Sequence, residues 1–149
     1  MTYHLAQVNI STMLGPIDSE IMASFVAQLD EINALAEATE GFVWRLKGED
    51  NNATALRVFD NDMIIINMSV WDSAEALKNY VYKSAHTNVF RDRNKWFAKH
   101  EGAHLAMWWI PAGHIPTPQE AKERLAHIDK NGETEYAFTF KNLYLPPTS

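Results

Sequence analysis

Cysteine is absent from the 149 residues, which excludes disulfide bonds, thiolate metal sites and a cysteine nucleophile. Basic residues are also outnumbered: 13 lysines and arginines stand against 19 aspartates and glutamates, so the formal net charge is −6. Because an acidic chain is poorly suited to contact a phosphate backbone, we expect no nucleic-acid partner.

Long apolar runs and common catalytic motifs are missing as well. No stretch approaches the roughly 20 apolar residues of a membrane-spanning helix, and residues 1–7 lack the basic start of a signal peptide. We therefore expect a cytoplasmic protein with no membrane partner. A glycine-rich phosphate loop and a G-x-S-x-G elbow are also absent, which disfavours nucleotide-dependent enzymes and triad hydrolases.

The composition that remains is that of one globular domain. The chain is 46% hydrophobic and 21% charged, and its length is sufficient for one core. We predict a single domain over residues 1–149. Five tryptophans are more than such a core requires, so some of them are expected to line a pocket or an interface.

Hydrophobic periodicity predicts alternating strands and helices. Asp18 is the expected N-cap of the first helix, while Thr117, Pro118 and Glu120 form an N-cap, a first-turn proline and a capping-box glutamate before the last helix. In chain order, the predicted elements are strand 3–12, helix 18–38, strand 41–46, loop 47–54, weak strand 55–59, turn 60–62, strand 63–71, a long helix from 72 to 101, strand 103–110, helix 118–131 and strand 136–140.

This order predicts an α+β fold of ferredoxin-like type, β-α-β-β-α-β, with an added C-terminal helix and strand. Strand 63–71 is apolar on both sides, since Ile64 and Ile66 alternate with Met63 and Ile65, so both sheet faces need cover. A second copy of the chain is the simplest cover and predicts a homodimer. The alternative is that the C-terminal helix and strand cover this face within one chain.

The segment His100-Glu101-Gly102-Ala103-His104 matches the H-E-x-x-H pattern of zinc proteases. That motif requires both histidines on one continuous helix, so that they meet the same zinc ion. Here a glycine lies in the centre and a predicted strand follows. We predict no metal site, and a zinc hydrolase is the least favoured class.

His86 begins a series of candidate functional residues in the predicted long helix. Phe90, Arg93 and Phe97 follow it by four, seven and eleven residues and would share its helical flank. A histidine and an arginine beside aromatic rings can act as proton carrier and anion partner for a planar acid or a phenol. The alternative is a structural histidine, with Arg93 extended toward water.

Other candidates come from the strands and from aromatic residues. Asn9 places an amide on a partly buried strand face, where it needs a hydrogen-bonding partner or a ligand. A cavity for a flat ligand competes with ordinary core packing as the explanation for several rings. The rings predicted to bind substrate are Trp44, Tyr80, Phe90, Trp96 and Trp108.

Several segments together resemble a known family over nearly the whole chain. The resemblance is to a bacterial domain family of unknown function in the dimeric α+β barrel superfamily, whose relatives include the antibiotic-biosynthesis monooxygenases. It implies a ferredoxin-like fold and a homodimer. The segments are Trp71-Asp72, Glu75-Ala76-Leu77, Tyr82-x-Ser84-x-His86, Arg91-x-Arg93, Trp96-Phe97 and Trp108-Trp109-x-Pro111-Ala112-Gly113-His114-x-Pro116-Thr117.

The resemblance implies two kinds of chemistry. Haem-degrading members of the superfamily carry an asparagine on the first strand and a tryptophan and a histidine on the second helix; Asn9 and His86 lie at comparable places, and Tyr80 stands near the tryptophan position. Other relatives oxidise phenolic rings without a cofactor, using pocket asparagine, tryptophan and arginine residues, for which Asn9, Trp44, His86 and Arg93 are the counterparts here.

The leading hypothesis is therefore a dimeric, small-molecule-binding protein with monooxygenase-like activity on an aromatic compound. In it His86 is a proton carrier or the axial ligand of a haem, Arg93 an anion partner and Asn9 a further catalytic residue. The rival hypothesis is a non-catalytic binding or structural dimer in which the same residues only pack.

Overall fold

The computed structural model describes residues 2–47, 63–99 and 102–147. The predicted strand 55–59 and turn 60–62 lie outside these ranges, as do most of the predicted loop 47–54 and the pair His100 and Glu101. The described elements are β1 (Tyr3–Met13), α1 (Ala23–Val26), α2 (Leu29–Ala38), β2 (Phe42–Arg45), β3 (Ile64–Trp71), α3 (Ala74–Ser84), α4 (Asn88–Arg91), α5 (Arg93–Trp96), β4 (Phe97–Ala98), β5 (Leu105–Pro111), α6 (Pro118–Asn131) and a 3-10 turn at Phe140–Asn142.

In the described ranges, one antiparallel sheet of five strands organises the fold, which confirms the predicted α+β class. The strand order is β2-β3-β1, with β4 and β5 both paired to the remaining edge of β1. In this register Asn9 of β1 lies opposite Asn67 of β3 on one side and Leu105 of β5 on the other. Asn9 is therefore in the middle of the sheet.

Helices cover both faces of the sheet. On the first, which we call the α2–α3 face, Leu5 of β1 packs in one cluster with Ala36 of α2 and Leu77 of α3. On the opposite face, the α6 face, Val8 of β1 packs in one cluster with Leu125 of α6. Since side chains alternate between faces along a strand, odd-numbered β1 residues face α2 and α3, and even-numbered ones face α6.

The α6 face is buried within a single chain. Ile66, Met68 and Val70 of β3 are each at most 5% exposed, and Ala121 of α6 packs in the same cluster. One ground for the predicted homodimer, an apolar sheet face without cover, is wrong, because the chain's own C-terminal helix lies on that face. Dimerisation stays a prediction without this support.

The two predicted long helices are both interrupted. The first begins at Ala23 instead of following Asp18, because residues 16–19 form a turn in which the Ser19 hydroxyl donates to the Pro16 carbonyl at 2.6 Å. The second ends at Ser84. There the hydroxyl of Ser84 donates to the Val81 carbonyl and that of Thr87 donates to the Ser84 carbonyl, and such local bonds compete with helix continuation.

The predicted C-terminal strand 136–140 is wrong. Phe138 makes a single bridge to Met107, with backbone hydrogen bonds of 2.7 and 3.0 Å, and the chain then turns at Phe140–Asn142. The turn forms because the Glu133 carboxylate accepts from both the backbone N–H and the hydroxyl of Thr139. None of the helices in the described ranges has both the length and the apolar character that crossing a bilayer requires.

The helix α6 matches its prediction at both ends, but Glu120 does not close a capping box. Thr117 caps the helix by accepting from the Glu120 backbone N–H at 3.1 Å, and Gly132 ends it. The Glu120 carboxylate instead binds two side chains: Oε1 lies 2.9 Å from His114 Nε2, and Oε2 accepts from Trp108 Nε1 at 2.8 Å. The glutamate therefore fastens the loop after β5 to the helix.

This arrangement makes Glu120 a source of acid-dependent stability. Burial raises the pKa of its carboxyl group, but hydrogen bonds from His114 and Trp108 and nearby positive charge outweigh burial and leave the pKa below its ordinary value of 4.5. The ionised form is favoured in the folded protein, so its contribution is present above pH 4.5 and is lost as pH falls through the folded pKa.

We expect Glu120→Gln to lower the free energy of unfolding by about 1 kcal/mol at neutral pH and by progressively less in acid. Urea unfolding of both proteins at several pH values between neutral and about pH 3 measures this difference. Glu123→Gln on the next turn is the matched control, since Glu123 is exposed. If Glu120→Gln lowered the free energy of unfolding by the same amount at every pH, the ionised Glu120 carboxylate would not be the source of the acid-dependent stability.

Candidate functional site

Two amide side chains are exposed in the centre of the α2–α3 face. Asn9 and Asn67 lie opposite each other on β1 and β3, and both are exposed, although Leu5, Gln7 and Met13 on the same face of β1 are buried. An exposed side chain on a strand that has neighbours on both sides requires a gap in the covering helices. We call this gap the amide recess, with Asn9 and Asn67 as its floor.

A hydrogen-bond network fixes one wall of the amide recess. Gln7 Nε2 donates to Asn67 Oδ1 at 3.0 Å and to Ser69 Oγ at 2.7 Å, and Trp71 Nε1 donates to the same Ser69 oxygen at 2.8 Å. Gln7 and Ser69 are each only 5% exposed. Because the oxygen of Asn67 is engaged by Gln7, its NH₂ group is the end left for a ligand.

An aromatic pair lies at the end of this hydrogen-bond network. The Tyr80 ring of α3 stacks on the Trp71 ring, with centroids 5.2 Å apart and planes 22° apart. Burial raises the pKa of Tyr80, against the opposing effect of the positive charge on Arg45. Tyr80 is thus a neutral phenol at physiological pH, and Arg45 is itself buried, with its Nε 3.7 Å from the Glu37 carboxylate.

A cleft of about 490 Å³ lies between α2 and the end of α3. Leu29 of α2 packs in a cluster with Met13, while Ala36 packs in a cluster with Leu5, so α2 runs along β1 past the level of Asn9. The cleft flanks α2 from Gln28 to Leu35, and neither Asn9 nor Asn67 is among the residues that line it. Its lining residues are Gln28, Glu31, Ile32, Leu35, Lys83, His86 and Thr87.

Comparison with protein families identifies the chain at the domain level. Residues 4–149 match the model described as domain of unknown function (DUF3291). The chain belongs to this family. The family resemblance seen in the sequence is thereby confirmed, and because the match extends to residue 149, α6 and the segment after it are part of the DUF3291 domain.

Solved structures similar to this DUF3291 domain are distant. A point mutant of SnoaB, a cofactor-independent oxygenase from Streptomyces nogalater, is 16% identical and has a TM-score of 0.49, covering 75% of this chain and 95% of its own. PA3566 from Pseudomonas aeruginosa is 10% identical, with 74% and 94% covered and a TM-score of 0.48. Rv0793 from Mycobacterium tuberculosis is 10% identical, with 76% and 99% covered and a TM-score of 0.47. A search of curated proteins finds no match.

The predicted pair His86 and Arg93 is not brought together in this DUF3291 domain. His86 follows the end of α3 and lies exposed in the cleft. Its ring packs edge-on against the Tyr82 ring, with the two centroids 4.8 Å apart. Arg93 begins α5; its Nη1 donates to the Phe90 carbonyl at 2.7 Å and its guanidinium lies 3.9 Å from the centre of the Phe90 ring. The interruption after Ser84 separates them.

The predicted aromatic residues are dispersed over four places. Trp44 and Trp108 pack in the cluster of the α6 face, on the opposite side of the sheet from the recess. Trp96 is buried beside α1, and its Nε1 donates to the Ser24 hydroxyl at 2.9 Å. Phe90 lies beneath Arg93 on the surface. Tyr80 packs in the cluster of the α2–α3 face, where it stacks on Trp71.

Four residues of the amide recess were missed by sequence reasoning: Gln7, Asn67, Ser69 and Trp71. A signal for three of them exists, since Asn67, Ser69 and Trp71 alternate along a predicted strand and must therefore share one face. The isoleucines at the start of that strand made the whole strand look apolar, so the row of Asn67, Ser69 and Trp71 was not recognised.

Neither haem nor zinc fits the described residues. In the cleft, Glu31 and Lys83 lie beside His86, whereas a porphyrin needs apolar walls along its faces. No group of three metal-ligating side chains occurs among the described residues. Of the H-E-x-x-H segment, the described residues 102–104 are not helical, and His100 and Glu101 lie outside the described ranges.

Proposed function

We propose that this domain binds a small phenolic molecule in the amide recess and oxidises it with O₂ without a cofactor. The observation that supports this is the exposure of Asn9 and Asn67 in the middle of an otherwise covered sheet face. A concave opening lined by a few oriented polar groups and a rigid aromatic wall is the usual form of a small-molecule site.

The polar groups of the recess suit a phenol and its anion. The NH₂ group of Asn67, held by the bond between its oxygen and Gln7, donates to a phenolate oxygen and so favours the deprotonated ligand. Asn9 supplies a second amide directly opposite. The partly exposed Tyr80 ring, which the buried Trp71 ring holds by stacking, offers an apolar surface for a second ring.

The reaction follows from the electron-rich phenolate. The phenol gives up its proton to His86, and the phenolate then supplies all the electrons that reduce O₂. One oxygen atom enters the ring, which becomes a quinone, and the other leaves as water after taking up the two hydrogens that the phenol loses. His86 is exposed in the cleft beside α2, which suits a residue that exchanges protons with solvent.

Oxygen consumption by the purified protein with phenols and hydroquinones tests this proposal. We expect uptake without added cofactor, unchanged by a chelator, with label from isotopic O₂ appearing in the quinone. His86→Ala should slow uptake by about 100-fold while binding persists. Saturable binding without any uptake would contradict the oxygenase and favour the alternative, a non-catalytic binding module; absence of binding would contradict both.

We also infer that the fold core is ferredoxin-like, since the order β2-β3-β1-β5 with antiparallel pairing agrees with it. The margin of the α6 face, where Trp44, Leu46 and Ile64 are only partly buried, is one surface that a homodimer could use. Sedimentation as a single subunit at micromolar concentration would contradict the dimer. A cytoplasmic location remains a prediction of the sequence.

A further inference from the structure

The apolar core of the α2–α3 face is divided into two separate clusters. One lies at the Leu5 end of β1 and the other at its Met13 end. Polar side chains lie between them, and we call these β1 residues the polar band: Gln7, Asn9 and Ser11. Because Asn9 belongs to both, the polar band and the amide recess are the same part of the face.

The helix α2 carries one polar residue on the flank that it turns toward the sheet. It buries Leu29, Asn33 and Ala36, which lie four and three residues apart and therefore share one flank. Leu29 belongs to one of the two apolar clusters and Ala36 to the other. Asn33 lies between them on the helix, so α2 directs its amide toward the polar band.

The side chain of Asn33 is buried without a hydrogen bond. It is only 8% exposed, and its amide makes no hydrogen bond to any residue that the structure describes. Both amide atoms nevertheless keep some contact with accessible space. Burial of an unpartnered amide costs stability, and asparagine is also a poor helix former, so neither packing nor helix formation explains this residue. A polar group of a ligand would supply the missing partner.

We propose that Asn33 is a specificity-determining residue of the amide recess and binds a second hydrogen-bonding group on the phenol. This inference rests on the proposed binding of a phenol there. Asn67 donates to the phenolic oxygen from the sheet, whereas Asn33 comes from the covering helix. A ligand between sheet and helix thus meets an amide on both sides. The preferred ligand is a phenol with a hydroxyl-bearing substituent, because an apolar substituent would leave the Asn33 amide unpartnered.

Two phenols of nearly equal shape test the proposal. Hydroxymethylphenol and ethylphenol differ in one hydroxyl group, and calorimetry measures the affinity of the 3- and the 4-substituted pair for the purified protein. In at least one pair we expect the hydroxymethyl compound to bind about tenfold more tightly. Equal affinities in both pairs, or tighter binding of the ethyl compounds, would overturn the inference while phenol binding stands. No binding of any of the four would overturn the proposed function as well.

Substitution of Asn33 separates a ligand-binding amide from a structural one. Asn33→Leu keeps a side chain that branches at Cγ, and it should raise the midpoint of urea unfolding by about 0.5 M and abolish the preference for the hydroxymethyl compound. Thr39→Val is the control. The Thr39 hydroxyl is also buried, but it donates to the Leu35 carbonyl at 2.7 Å, so this variant should lower the midpoint and keep the preference.

A smaller variant covers the case in which leucine does not fit. Asn33→Ala removes the same amide without added volume and should also abolish the preference for the hydroxymethyl compound. If the preference persisted in every folded Asn33 variant, water alone would satisfy the amide and the inference would be overturned.

Discussion

Replacing Asn67 with alanine is expected to lower kcat/KM for oxidation of a phenol about 100-fold, the usual cost of removing one oriented hydrogen-bond donor from a developing oxyanion. The donor is the NH₂ group, because the oxygen of Asn67 accepts from Gln7. Oxygen uptake at several substrate concentrations measures the change. Asn67 is exposed, and Gln7 retains its bond to Ser69, so the fold should persist.

Two further variants show whether the donor itself is responsible. Asn67→Asp keeps the size and the acceptor for Gln7 but places a negative oxygen where the phenolate lies, so it should be at least as damaging as alanine. Asn94→Ala, at an exposed position of α5 well away in the chain, is the matched control and should be silent. Unchanged kcat/KM in Asn67→Ala would contradict the amide recess as the site of oxidation.

Local signals allowed some elements to be predicted within one or two residues. The alternation in β1 and the sequence Thr117-Pro118 before α6 both act within a few residues, and the structure confirms both elements. The breaks after Val26 and Ser84 could not be predicted in the same way. The apolar stripe continues across both breaks. The hydroxyl hydrogen bonds of Ser84 and Thr87 that end α3 do not change the hydrophobic periodicity of the sequence.

The position of α6 depends on the whole fold. Periodicity showed that both faces of β3 are apolar, but it could not show which element covers each face, since a partner and the chain's own helix bury the same side chains. The structure places Ala121 and Leu125 of α6 on the face for which a second subunit was expected. Whether the chain's own helix or a second subunit covers this face depends on how the chain connects its elements. The hydrophobic pattern does not contain that information.

The candidate site shows the same limit. Asn9 could be singled out because a lone amide on a buried strand is conspicuous. Asn67 became its partner through the register of two strands that are 58 positions apart, which no local rule specifies. The flank of His86, Phe90 and Arg93 required one continuous helix, and it disappeared when that helix ended at Ser84.

Replacing Gly41 with alanine is expected to destabilise the fold by about 3 kcal/mol, combining left-handed backbone strain with overpacking. Gly41 joins α2 to β2 at φ +93°, and its carbonyl accepts from the Asp72 backbone N–H at 2.8 Å. A Cβ there would overlap the methyl group of Ala76 in α3 and lie 2.6 Å from Asp72 Oδ1. Urea unfolding measures the loss.

Gly113 provides a control that separates strain from crowding. Its φ of +95° nearly equals that of Gly41, but a Cβ added at Gly113 would meet no atom of the described residues within 4 Å. Gly113→Ala should therefore cost only about 1 kcal/mol, the backbone contribution alone. The double variant Gly41→Ala with Ala76→Gly removes the opposing methyl group. It should recover part of the stability that Gly41→Ala loses beyond the loss at Gly113→Ala. Equal losses at Gly41 and Gly113 would show that the approach of α3 to this turn is not what requires glycine there.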